Sequence, residues 1–203
     1  VGLFKSIDRG ATWNLLEATR ATSDTSPWIA VHRVAVNPGD GTQVWAATRG
    51  GLWQSSDGGT TWLRKMLPNE NADCGGTCSV TELVFHPANG QQLVAAVGSR
   101  MFYSTDGGQN FAAGTMTDAI AARNPPAEAR VSIAPAPGTP GRFVASVNHA
   151  EPDTNVPAST DLGQVWVTTD AGASWTWLAT PRHLGAQGDY DNAIWVAPNN
   201  PNV

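Results

Sequence analysis

One eight-residue pattern recurs four times in this chain, and it limits the possible folds more tightly than any bulk property does. Ser55-Ser56-Asp57-Gly58-Gly59-Thr60-Thr61-Trp62 is its fullest form, and the other copies begin at Ser6, Ser104 and Thr168. Each reads hydroxyl, any, Asp, any, Gly, any, small polar, aromatic. The repeated residues are therefore Asp8, Asp57, Asp106 and Asp170, then Gly10, Gly59, Gly108 and Gly172, then Trp13, Trp62, Phe111 and Trp175. Four copies in 203 residues make an internal repeat.

Physically the pattern is a tight hairpin. A carboxylate two residues past a strand end can accept backbone N–H bonds from the turn that follows it. The Gly two residues later supplies a position with positive φ. The closing aromatic re-enters the next strand and packs between layers. Each Asp is expected to brace its turn and not to act as a catalyst.

The copies begin at 6, 55, 104 and 168, so the intervals are 49, 49 and 64. A period near 50 predicts β-propeller blades, each a four-stranded antiparallel sheet. The second repeat lays out as Arg33–Val36, Val44–Ala47, Leu52–Ser55 and, past the Asp turn, Thr61–Arg64. The third gives Glu82–Phe85, Leu93–Ala96 and Met101–Ser104, and the fourth Arg130–Ile133, Phe143–Ser146 and Gln164–Val167. Every first strand runs into a Pro, namely Pro38, Pro87 or Pro135, which stops the ladder. The chain enters with only a third and a fourth strand, Gly2–Lys5 and Thr12–Leu15, and leaves with a first strand, Asn192–Val196. The expected architecture is all-β, a single propeller domain or fragment over 1–203 with blade parts 1–20, 30–66, 80–115, 130–180 and 192–203. It has three complete blades and two partial ones, about half of a larger ring.

Composition agrees with this and narrows the function classes. Charged residues are 14%, Gly and Pro number 21 and 14, and there are nine Trp, which suits short strands joined by turns. Net charge is −5 with no basic run, so nucleic acid is not an expected partner. No apolar run approaches the length of a membrane-spanning helix. Cys74 and Cys78 flank a Gly-rich loop as C-x-x-x-C. With no second Cys pair or spaced His pair, a small disulfide is expected over a metal site, and with it a secreted or extracytoplasmic location.

Loop position then points to a face. The Asp turns join third to fourth strands and share one side with the first-to-second turns. The opposite side carries the longer connections: the Cys74–Cys78 loop, Ala112 to Ala129, Leu178 to Asp191, and a 14-residue insertion, His149 to Leu162, between the second and third strands of the fourth repeat. Long irregular loops gathered on one face mark a binding face. First strands line the central channel. Five positions before the strand-ending Pro, at the channel mouth, stand Arg33, Glu82 and Arg130. They are either a site for a carboxylate or a sugar, or an Arg–Glu–Arg network joining blades. Asp189 and Asp191 could pair as acid and base or hold a structural Ca²⁺; the alternative is a solvated loop. Glu82 completes the candidate catalytic carboxylates. The binding-face candidates are Arg33, Arg130, Glu151, Asp153, His183 and Tyr190. No metal set is identified, and no cofactor is expected beyond that Ca²⁺.

The four turns, and segments such as Gly51-Leu52-Trp53-Gln54-Ser55-Ser56-Asp57, resemble the Asp-box, or bacterial neuraminidase, repeats over essentially the whole chain. That superfamily includes sialidases, family 74 xyloglucan hydrolases, sortilin-type receptors and photosystem assembly factors. The resemblance implies a propeller of about six to ten blades with structural Asp boxes, and it selects no one activity. It also places Arg33 and Arg130 where two sialidase arginines would lie, and Asp191 near the place of a family 74 acid. No counterpart of the sialidase Tyr–Glu pair is found. The function expected is a secreted or cell-surface binding or scaffold module for carbohydrate or protein; the alternative is part of a glycoside hydrolase catalytic domain. The expected partners are a glycan or protein ligand and the remaining blades of the propeller.

Overall fold

The Asp turns are folded as expected, and each closes a hairpin. The first joins β1 (Phe4–Lys5) to β2 (Asn14–Leu15), which form a two-stranded sheet. A complete blade follows: β3 (Val31–Asn37), β4 (Asp40–Thr48), β5 (Gly51–Ser55) and β6 (Leu63–Lys65), ordered as in sequence. The next is β7 (Glu82–His86), β8 (Asn89–Val97), β9 (Arg100–Ser104) and β10 (Ala112–Ala113). After β11 (Thr115–Met116) comes the last, β12 (Val131–Pro135), β13 (Phe143–Asn148), β14 (Gly163–Thr168) and β15 (Ser174–Ala179). The structure, a computed structural model, describes residues 1–70, 78–119, 123–125, 127, 129–148, 163–179, 184, 188 and 192–200.

Within each blade the strands are antiparallel neighbours, and the sheets stack as successive blades of a partial propeller. The inner strand β3 lies against β7, and β7 against β12. Each core layer sits between consecutive blades. Trp45, Ala47 and Leu52 of one blade meet Leu83, Phe85, Leu93 and Ala95 of the next. Val94, Ala96 and Met101 on the reverse side of that second blade meet Val131, Ile133, Phe143 and Ala145 of the third. Strand alternation explains this: Leu93 and Ala95 point one way, Val94 and Ala96 the other. The second strands are buried on both faces, which is why they read as unbroken apolar runs. Each large side chain so buried contributes about 1.5–3 kcal/mol.

Three features depart from the sequence reading. Residues 192–197 make no ladder, although Ile194 and Val196 pack on Val144, Val165 and Val167 as a first strand would, and Asn192 Nδ2 donates to Ser146 O at 2.9 Å. β11 was not anticipated. Its two residues pair in parallel with β15, adding a fifth strand to the outer edge of the last blade. Two residues carry no periodicity to detect. Pro135 also joins its ladder opposite Phe143, where Pro38 and Pro87 lie in two-residue turns. Two short 3₁₀ turns, Glu17–Thr19 and Pro27–Ile29, link the first hairpin to β3. The second carries Trp28 onto Trp53 and Trp62, at ring separations of 5.3 and 5.1 Å. No helix among the described residues is long and apolar enough to cross a membrane.

Candidate functional site

The four Asp turns share one hydrogen-bond scheme, and it engages every atom a catalyst would need free. In the second copy Ser55 Oγ donates to Asp57 Oδ1 at 2.8 Å and accepts from Gly59 N at 2.8 Å. Asp57 Oδ1 accepts from Thr61 N at 2.9 Å, and Oδ2 accepts from the Thr61 hydroxyl at 2.6 Å. Trp62 Nε1 closes the turn onto Gly59 O at 3.0 Å. Asp8, Asp106 and Asp170 repeat the pattern with Thr12, Asn110 and Ser174. The Thr61 hydroxyl, then its N–H, then Ser55 hold the Asp57 pKa at about 2, and the Thr12 and Ser6 donors do the same for Asp8. Burial pushes Asp106 upward, but the Asn110 and Ser104 donors outweigh it and leave about 2; Asp170 is likewise lowered.

At the opposite end of the inner strands, two of the three aligned channel-mouth residues meet. Arg33, near the start of β3, donates from Nε to Glu82 Oε1 at 2.8 Å and from Nη2 to Oε2 at 3.2 Å. Glu82 is buried at the start of β7, and its Oε1 also accepts from Leu83 N at 3.1 Å. This is the two-pronged Arg–carboxylate geometry, formed between blades. Arg130, immediately before β12, stands outside it: its backbone O accepts from Asn148 N at 2.8 Å, but its guanidinium makes no hydrogen bond or ion pair among the described residues. The expected Arg–Glu–Arg network is therefore a pair, with a separate arginine.

Arg130 lines a cavity of about 480 Å³ with Ser79, Thr81, Arg100 and Ala127. His32 stands beside it, with Nε2 3.2 Å from Ser79 Oγ. Burial, then the charges of Arg130 and Arg33, hold the His32 pKa below its ordinary value. His32, Ser79, Thr81 and Arg100 were not picked out from the sequence. A usable signal existed, since His32 adjoins the aligned position at Arg33, and Ser79 and Thr81 lead into Glu82. A second buried carboxylate among the described residues, Glu70, accepts from Arg64 Nη2, from Leu67 N at 3.1 Å and from Cys78 N at 3.2 Å.

The remaining candidates, Glu151, Asp153, His183, Asp189, Tyr190 and Asp191, lie outside the described residues, as does the insertion at 149–162. Cys74 does too, and with it the expected bridge. Cys78 is buried in the first core layer, and there is no free cysteine among the described residues. The described residues also hold no group of three or more metal-ligating side chains.

Neither a protein-family model nor a curated protein matches this sequence. Solved structures do match. An ancestral GH74 enzyme aligns with a TM-score of 0.57 and 20% identity over 89% of this chain and 21% of its own. The GH74 xyloglucanase from Xanthomonas campestris aligns at 0.49 and 23% identity over 72% of this chain and 22% of its own. YCF48 bound to D1 peptide aligns at 0.46 and 19%, over 73% and 39%. The first likeness shows the fold, a β-propeller, of which this chain spans about a fifth of that enzyme's length.

Proposed function

We propose that this chain is part of a secreted or cell-surface Asp-box propeller that works as a binding or scaffold module, with a glycan or protein ligand on the face away from the Asp turns. The observation that carries this reading is the contrast between the two sides. The Asp-turn carboxylates are tied into their turns, and Glu82 and Glu70 are tied to Arg33 and Arg64, whereas Arg130 lines an open cavity whose Ser79 contacts His32. That arrangement favours holding a ligand over acid–base chemistry on the described residues. The exposed Val34, Val36 and Trp195 give the module apolar edges on which further blades of the propeller can stack.

The hydrolase alternative is supported by fold-level likeness to a GH74 enzyme, and it would run through Asp189 and Asp191. Aryl glycosides, including a sialoside, separate the two readings. No turnover is expected, and turnover abolished by Asp189→Ala or Asp191→Ala would replace the binding module with a hydrolase. Two accompanying expectations are tested on the same preparation. Mass measurement with and without reductant reports the Cys74–Cys78 bridge. A chelator that lowers Tm would place a structural Ca²⁺ in the protein.

A further inference from the structure

The cavity beside Arg130 carries the binding reading further and rests on it. Its described lining includes two guanidinium groups, Arg100 and Arg130, and two hydroxyls, Ser79 and Thr81, with no carboxylate and no aromatic ring. The nearby carboxylate, Glu82, is turned toward Arg33. With no carboxylate in the described lining to answer the Arg130 guanidinium, the recess is cationic at that end on a chain of net charge −5. A second cavity of about 330 Å³ shares Arg100 and Ala127 and continues past Pro68, Met116 and Pro125. The described lining of the first cavity offers no flat ring on which a sugar could stack; the second, which continues it, is partly apolar, and its Phe102 is buried at 4% exposure and presents little ring face to it. We infer that this recess and groove hold an acidic peptide in extended form, one of its carboxylates bound by Arg130 and its chain continuing past Arg100 toward Met116.

His32 gives the inference a second readout. The charges facing it are Arg33 on its own strand and Arg130 two blades on, just before β12; Glu82, on the blade between them, is paired with Arg33, and Ser79 contacts the ring. A carboxylate on Arg130 cancels part of the positive charge that disfavours the imidazolium. Binding therefore draws a proton onto His32, and affinity rises as pH falls.

The test is fluorescence anisotropy of a labelled peptide of alternating Glu and Ala titrated with the full chain. Arg130→Gln is expected to weaken binding about tenfold or more, and Arg130→Lys, which keeps the charge without the fork, by less. Gln109→Ala, on the Asp-turn side, should change nothing. Affinity should be roughly threefold higher at about pH 5.5 than at about pH 7.5, and flat across that range in His32→Gln. Equal binding of a Gln–Ala peptide, undiminished binding by Arg130→Gln, or a flat wild-type pH profile overturns the inference. Capture of an oligogalacturonate in place of the peptide, lost in Arg130→Gln, overturns the peptide while keeping the face. Binding that survives Arg130→Gln and falls in Gln109→Ala removes both.

Discussion

At the scale of single residues, the Asp turns work by concentrating donors on a carboxylate, with no counter-charge among those donors. The hydroxyl two residues before each Asp and the residue four after it together supply three hydrogen bonds to the carboxylate. The ionised form is favoured, so protonation costs folding energy. The sign follows from linkage: a carboxylate whose pKa is depressed on folding stabilises the fold above its ordinary value of 3.8 and loses that contribution as pH falls toward about 2. Acid unfolding followed by circular dichroism should show stability falling across that window. Thr61→Val, which removes the largest single support of Asp57, should move the acid midpoint to higher pH; an unmoved midpoint would show that the turn is not limiting. The motif's glycine has a second constraint. Gly108 has φ +89°, and a Cβ there would lie 2.2 Å from the Trp45 ring of the preceding blade. Gly108→Ala should therefore cost about 2–4 kcal/mol in denaturant titration, through both backbone strain and overpacking. The position just before that glycine is also left-handed in every copy, at Arg9, Gly58, Gly107 and Ala171. Only the two glycines hint at this in the sequence.

At the scale of elements, blades are joined at both ends of their inner strands by the residues that flank the apolar run. The residue before the strand-ending Pro, Asn37 or His86, reaches across to the next blade. Asn37 Oδ1 accepts from Gly39 N at 2.9 Å and its Nδ2 donates to Gly90 O at 3.1 Å. His86 does the same with a ring. Ala88 N lies 3.2 Å from Nδ1 as the donor, which leaves Nε2–H to donate to Ala136 O and Thr139 O, both at 3.0 Å, while the ring stands edge-on to Phe143. His86→Ala empties a fully buried site and orphans those carbonyls, an expected loss of about 2–4 kcal/mol. His86→Asn, which copies the neighbouring blade, should lose clearly less; equal losses would mean the ring only fills space. At the other end the Arg33–Glu82 pair invites an asymmetric result. Arg33→Ala strands a buried carboxylate and should cost about 2–3 kcal/mol, whereas Glu82→Gln leaves Arg33, which is partly exposed, to water and should cost less. Equal costs would place the value of the pair in packing alone.

At the scale of the whole molecule, the repeat made most of the architecture legible, because a fixed period carries strand order, blade phase and which face each turn occupies. It also aligned Arg33 with Glu82 before any contact was known. It could not show that Arg130 stays out of their pair, because side-chain reach across a channel has no period. His32 and Ser79 belong to the same blind spot, being neighbours in space across blades. The alignment does predict where burial should repeat, and there the molecule departs from its own period. Leu83 and Phe85 are 3% and 7% exposed, and Val131 and Ile133 are 2% and 7%, yet the matching Val34 and Val36 are 49% and 52%. The reason is spatial. Each first strand packs on the inner strands of the preceding blade, and β1 and β2 supply only that blade's outer pair. Trp13 is 63% exposed for the same cause, since the matching Phe111 rests on Trp45 of the blade before it, with ring centroids 5.8 Å apart. Equivalent positions should then respond unequally. Phe85→Ala is expected to cost about 3–5 kcal/mol and Val36→Ala under about 1 kcal/mol in equilibrium denaturation of this chain. The difference should shrink when further blades are present to cover β3, because Val36 then joins a core layer like the others. A large loss from Val36→Ala in the chain alone would mean that its face is already covered, and the open edge would have to be abandoned.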